Sequence, residues 1–346
     1  MKCGTILLII STLIGIYIGI LTRRVSNLFD PSKCPFCYGS DLCKDIARIR
    51  LQYKTFSDLF YNLFSVKNIF FAEYDGKRVV LKKLGHDSEL EQIKSHSVDE
   101  ESLVDYLVNS ASGLRICYRD VAKRLVKRLR KHFDLEQIWT ISQVNCEPLM
   151  LAILNGPIPK LYGSCGFVIV EEYCGQPLNH FETSPWHVRA FLALQLLEAA
   201  IDFTHKHHDF RVYLTDISPD NIAVDHNFKL TFVDLEHVIL QRKENQTDVV
   251  HNTQFFPDDD FIFSEAEICS NSLSDHNIYA VCRLLLSRKA PWPMMANGLL
   301  HSPPPTIARY NNELFLLLED CVDSNQRFDI AEKLINLLKK LNKDIS

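Results

Sequence analysis

Tyr213-Leu-Thr-Asp216-Ile-Ser-Pro-Asp-Asn221, followed by Leu230-Thr-Phe-Val-Asp234, is the stretch on which the reading of this 346-residue chain turns. It sets an Asp and an Asn five residues apart in a loop, with a second Asp thirteen residues further on at the end of a short apolar β run. Phosphoryl transfer needs these residue types. One carboxylate orients or deprotonates an attacking hydroxyl, and an amide and a carboxylate oxygen hold a divalent cation across the phosphates. Asp216 is thus the candidate base, and Asn221 and Asp234 are the candidate metal ligands. Taken singly, each is an ordinary polar residue; the spacing carries the reading.

Working outward, Trp186 to His205 is apolar on nearly every face, as expected of a helix buried in a large lobe. Asn68 to Leu84 reads as a hairpin around Asp75-Gly76, and Phe167 to Glu172 as a buried strand. Glu147 to Leu154 reads as a helix broken by Gly156-Pro157, while Asn311–Leu318 and Asp329–Leu341 read as amphipathic helices. A strand-rich first half joined to a helix-rich second half predicts a bilobal α+β fold. The basic run Lys123-Arg124, Lys127-Arg128, Arg130-Lys131-His132 is interleaved with Val121, Leu125, Val126 and Leu129. It predicts an amphipathic helix with a cationic face, either plainly solvated or docking an acidic partner.

A net charge of −5 argues against a nucleic-acid binder. Residues 3–21 carry no charge and no Pro, long enough to cross a bilayer of about 30 Å. That predicts membrane contact through an uncleaved signal anchor or a signal peptide. Eleven cysteines less Cys3 leave an even ten, suited to an oxidising compartment: Cys34, Cys37, Cys43, Cys117, Cys146, Cys165, Cys174, Cys269, Cys282 and Cys321. All ten are disulfide candidates with open connectivity. Cys34-Pro-Phe-Cys37 lacks the second pair of a zinc site and the strand–helix frame of a redox site. Asn245-Gln-Thr is a glycosylation sequon that makes sense in the same compartment.

These residues resemble the protein kinases. Asp216 and Asn221 match the catalytic-loop pattern D-x-x-x-x-N, Asp234 the metal-binding Asp of D-F-G, and Val79-Val-Leu-Lys82 the V-A-I-K strand. The resemblance implies that Lys82 contacts the α/β-phosphates of ATP, with Glu147 as its ion-pair partner. Glu172-Tyr-Cys174 falls at the nucleotide hinge, Asp275 where a helix aspartate steadies the catalytic loop, and Arg327 at a late structural arginine. More closely, the chain is similar to the divergent protein kinase domain 2 family, the deleted-in-autism proteins. The marks are Cys34-Pro-x-Cys, Glu147-Pro-Leu, the Tyr213 to Asn221 segment and Gly298-Leu-Leu-His-x-Pro-Pro. The resemblance covers about Phe56 to Leu341 and implies a Golgi or ER lumenal protein, single-pass type II or secreted.

The expected organisation is an anchor or signal at 1–22, a cysteine-rich lumenal segment at 23–55, an N-lobe at 56–175 with an insertion at 84–145, and a C-lobe at 176–346. Several positions depart from the kinase pattern. No G-x-G-x-x-G precedes Val79, Leu214-Thr215 replaces His-Arg, Ser218 stands where a lysine neutralises the γ-phosphate, and Leu235-Glu236 replaces Phe-Gly. Three readings stay open: an ATP- and Mg²⁺- or Mn²⁺-dependent kinase of lumenal or extracellular proteins, a pseudokinase acting as a secreted signal or binding module on a receptor, and a small-molecule phosphotransferase.

Overall fold

A computed structural model of the chain describes residues 28–52, 68–85, 98–110, 113–243 and 263–345, with residues 11, 12, 14, 15 and 93 besides. Most of the apolar stretch 3–21, and the sequon at Asn245, lie outside the described residues. Among the described residues, no helix is long and apolar enough to cross a membrane.

The strands in chain order are β1 (Ile49–Leu51), β2 (Asn68–Tyr74), β3 (Lys77–Lys83), β4 (Leu114–Ile116), β5 (Leu161–Cys165), β6 (Val168–Glu172), β7 (Gln176–Pro177), β8 (Phe210–Leu214), β9 (Ile222–Val224), β10 (Leu230–Phe232) and β11 (Val238–Arg242). The helices are α1 (Glu100–Asn109), α2 (Arg119–Leu129), α3 (Leu135–Val144), α4 (Glu147–Ile153), α5 (Trp186–His205), α6 (Glu265–Ser270), α7 (His276–Val281), α8 (Asn311–Asp323) and α9 (Arg327–Ile345). They form two compact units. The first comprises 1–97, 136–144 and 160–173; the second comprises 98–135, 145–159 and 174–346.

The first unit is built on a sheet of order β1-β2-β3-β6-β5. The turn between β2 and β3 takes Asp75 and Gly76 to φ of 52° and 73°, the left-handed pair a two-residue hairpin requires. Period-two alternation then sorts the strands. Phe70, Ala72, Val79, Leu81, Val168 and Val170 enter one core with Leu28, Phe29 and Leu42, while Ile69 and Phe71 stay exposed on the other face. The cysteine-rich segment covers the β5 edge. Leu42 N donates to Ser164 O at 3.0 Å, Cys43 is disulfide-bonded to Cys165, and Cys34 to Cys37.

In the second unit, α5 is buried on most of its faces, which is why its sequence shows almost no polar stripe. It is not purely helical: three-stranded sheets of order β10-β9-β7 and β4-β11-β8 lie in it as well. Residues 98–135 and 145–159 were expected in the N-lobe, and the structure assigns them to this unit instead. Sheet pairing and a covalent bond explain the difference. β4 runs parallel to β11, and Cys117 is bonded to Cys269. The basic helix α2 buries Val121, Leu125, Val126 and Leu129 as expected. Its cationic face is met from within: Lys123 pairs with Glu101 at 2.9 Å, Arg124 with Asp120 at 2.6 Å, Arg130 with Glu100 at 2.9 Å, and Arg119 and Arg128 with Glu101 and Asp209. This favours the plain reading of that helix.

Candidate functional site

Asp216, Asn221 and Asp234 are brought together by one short hairpin. β9 and β10 pair antiparallel with Ile222 opposite Phe232, and the ladder continues one step as Val233 N donates to Asn221 O at 3.0 Å. Residues thirteen apart in sequence therefore emerge at the same end of the hairpin. Asn221 Nδ2 donates to Asp216 Oδ2 at 3.0 Å and to Asp216 O at 3.2 Å. Both neighbours are acceptors, so the amide nitrogen must face them and Oδ1 turns the other way. Asn221 Oδ1 and the half-buried Asp234 carboxylate are both hard-oxygen donors, the type that Mg²⁺ and Mn²⁺ take.

The turn after Asp234 is clasped by the start of α4. Leu235, fully buried where kinases carry Phe, donates its N–H to Glu147 Oε1 at 3.4 Å. Asn145 Nδ2 donates to Glu236 Oε2 at 2.5 Å, and Asn145 Oδ1 accepts from Glu147 N, the first residue of the helix, at 2.9 Å. The Cys146 thiol reaches Glu236 O at 3.0 Å, and burial raises its pKa well above the ordinary thiol range. His237 follows. Its bond to Glu236, then the nearby Glu236, Asp216 and Asp234 charges, raise the imidazolium pKa above the usual histidine value.

Upstream, β8 is buried at every residue and delivers the chain to Asp216. Asn277 fastens its end: Oδ1 accepts from Leu214 N at 3.0 Å, and Nδ2 donates to Val212 O at 2.8 Å and to Thr204 Oγ1 at 3.0 Å. His276 Nε2 meets Leu214 O at 2.9 Å, and burial pushes its pKa down to about 4. Tyr213 Oη accepts from Ser274 N at 2.9 Å, and burial pushes its phenol up to about 12. Asp275 instead pairs with Arg327 at 2.9 Å, both buried. Of the residues around Asp275, His276 and Asn277 are the side chains bonded to β8.

In the first unit, Lys82 Nζ lies 3.0 Å from Glu171 Oε1, both side chains buried. Glu171 is a partner of Lys82 that the motif pattern does not name. The signal was available in the alternation of β6, where Glu171 shares the face of Ile169, the residue opposite Lys82. Glu172 is exposed and accepts from Lys160 N at 3.3 Å, and the division between the units falls between Tyr173 and Cys174, where a hinge was expected. Phe71 meets Tyr173 edge-to-face at 5.8 Å, and the Arg78 guanidinium lies 3.8 Å from the Tyr173 ring centre.

Eight of the ten candidate cysteines pair, as Cys34–Cys37, Cys43–Cys165, Cys117–Cys269 and Cys282–Cys321. Cys146 and Cys174 form no disulfide, and both are buried. An even count was a poor guide, because Cys146 is a polar clasp on the Asp234 turn rather than half of a crosslink.

The description "Protein-kinase domain of FAM69" matches residues 138–324, which hold Glu147, Asp216, Asn221, Asp234 and Asp275. The chain is 31% identical over 383 residues to divergent protein kinase domain 2A of Xenopus tropicalis, covering 92% of this chain and 88% of that protein. It is 31% identical to the Mus musculus protein of the same name and 30% to that of Homo sapiens, with 91% of this chain and 88% of each relative covered. With the kinase-domain match and near end-to-end similarity agreeing with a hairpin that gathers Asp216, Asn221 and Asp234, this chain belongs to the divergent protein kinase domain 2 family.

Proposed function

We propose that the chain is an ATP-dependent phosphotransferase of the secretory pathway that acts on hydroxyl groups of lumenal or extracellular proteins. The observation that carries this reading is the bond from Asn221 Nδ2 to Asp216 Oδ2 at 3.0 Å at the mouth of the β9–β10 hairpin. It directs one carboxylate oxygen of Asp216 and leaves the other to accept a proton from an attacking hydroxyl. Asn221 Oδ1 and the Asp234 carboxylate would hold Mg²⁺ or Mn²⁺, and Lys82 would contact the phosphates. When bound, the cation neutralises charge on the transferring phosphoryl group. Four disulfides among the described residues support an oxidising compartment, with residues 3–21 as anchor or signal and Asn245 as a glycan site.

A pseudokinase reading has its own support. Lys82 is charge-paired by Glu171, Glu236 is bound by Asn145, and Ser218 replaces a cation, so these polar residues also have structural partners within their own units. Labelled ATP with Mn²⁺ separates the two. The enzyme reading expects label transfer that Asp216→Ala removes; equal labelling of the two proteins overturns it.

A further inference from the structure

We infer that Glu171 is the positioning residue for Lys82, so the lysine that meets a nucleotide's phosphates is aimed from within the sheet. This rests on the nucleotide reading above and adds to it a residue that neither the motif pattern nor the family match assigns.

The geometry is a cross-strand diagonal. β3 and β6 pair with Val80 opposite Glu171 and Lys82 opposite Ile169, which puts Lys82 and Glu171 on one face two residues out of step. Glu171 Oε1 and Lys82 Nζ are 3.0 Å apart, and the two side chains are only 2% and 9% exposed. A lysine ammonium has three donors on a flexible stem and no intrinsic direction. A short charge-assisted bond from a strand-borne carboxylate gives Nζ a direction.

A purely structural origin is weak. Buried ion pairs are commonly matched or exceeded in stability by packed apolar residues, because desolvating two charges offsets their attraction. Val80 and Ile169, the residues opposite the pair, are aliphatic, so the sheet already shows what such a face would otherwise hold. Glu147, meanwhile, has a second task, accepting the Leu235 N–H after Asp234. Its substitution should disturb that turn, whereas substitution of Glu171 should act through Lys82.

The test is calorimetric titration of the full chain with Mn²⁺-ATP and, separately, with adenosine. The variants are wild type, Glu171→Gln and Glu171→Asp, each first checked for its unfolding midpoint. A positioning role predicts that Glu171→Gln weakens Mn²⁺-ATP by tenfold or more while adenosine affinity changes less than twofold, and that Glu171→Asp recovers part of the loss. If Glu171→Gln does not fold, the Asp variant carries the same comparison, with a selective loss of at least threefold expected for ATP. Equal weakening of both ligands, or no weakening of ATP, overturns this inference while leaving nucleotide binding intact. A wild-type chain that binds neither ligand overturns the nucleotide reading and this inference with it.

Discussion

The backbone N–H of Leu235 points at the carboxylate of Glu147, 3.4 Å from Oε1, so the residue after Asp234 is tied to the first turn of α4. With Cys146 on Glu236 O and Asn145 on the Glu236 side chain, three consecutive residues hold the segment that carries the candidate metal ligand.

Glu147→Ala should leave a buried N–H without this acceptor and destabilise the chain by about 1–3 kcal/mol. Glu147→Gln, which keeps a carbonyl acceptor, should recover at least half of that. Urea unfolding of both variants checks it; equal stability of Glu147→Ala and wild type would contradict the clasp.

For the Lys82–Glu171 pair, Glu171→Leu alone breaks a buried ion pair and should cost ~3–5 kcal/mol, and Lys82→Met with Glu171→Leu should cost less than the sum of the two single losses. A double-mutant cycle reads the coupling. Additive losses would mean the two charges do not interact.

Stability should fall in mild acid because of His276. Burial holds its folded-state pKa near 4 against an ordinary 6.5, so between those values the unfolded chain binds a proton that the folded chain resists. This contribution is fully present above about pH 6.5, declines as pH falls towards 4, and totals about 3 kcal/mol. His276→Gln should flatten the pH dependence of the unfolding free energy across that window; an unchanged slope would show that another group is responsible.

Much of this was legible in the sequence because local rules decided it. The Asp75-Gly76 turn set the hairpin, the unbroken apolar character of Trp186–His205 marked a buried helix, and the spacing of Asp216, Asn221 and Asp234 anticipated one site. What was not legible shares a cause: each feature depends on which distant segment a residue meets. β4 is three residues long, and its assignment to the second unit is decided by pairing with β11 and by Cys117–Cys269, across 152 residues of chain. Glu171 sits beside the exposed Glu172 in an identical pair of letters, and only the face of the strand distinguishes them. Asn277 and His276 follow a motif aspartate that drew the attention, while the bonds to Leu214 come from its neighbours.

Thiol counting tests the corrected cysteine assignment. Alkylation of the unfolded, unreduced protein should label Cys146 and Cys174, besides Cys3 wherever the N-terminal segment is retained, and leave the eight paired cysteines untouched, and in the folded protein Cys146 and Cys174 should react slowly because they are buried. Peptide mass spectrometry reads the positions. A Cys146–Cys174 crosslink would overturn the clasp on Glu236.

If Asn221 and Asp234, presented by the β9–β10 hairpin, form a divalent-cation and nucleotide site as proposed, ATP and metal together should stabilise the fold. Thermal unfolding of the chain with ATP and Mn²⁺ or Mg²⁺ reads this. The midpoint should rise only when ATP and metal are both present, by an amount that grows with ligand concentration, and Asp234→Ala should abolish the rise. No rise with either metal, or an equal rise in Asp234→Ala, would contradict it.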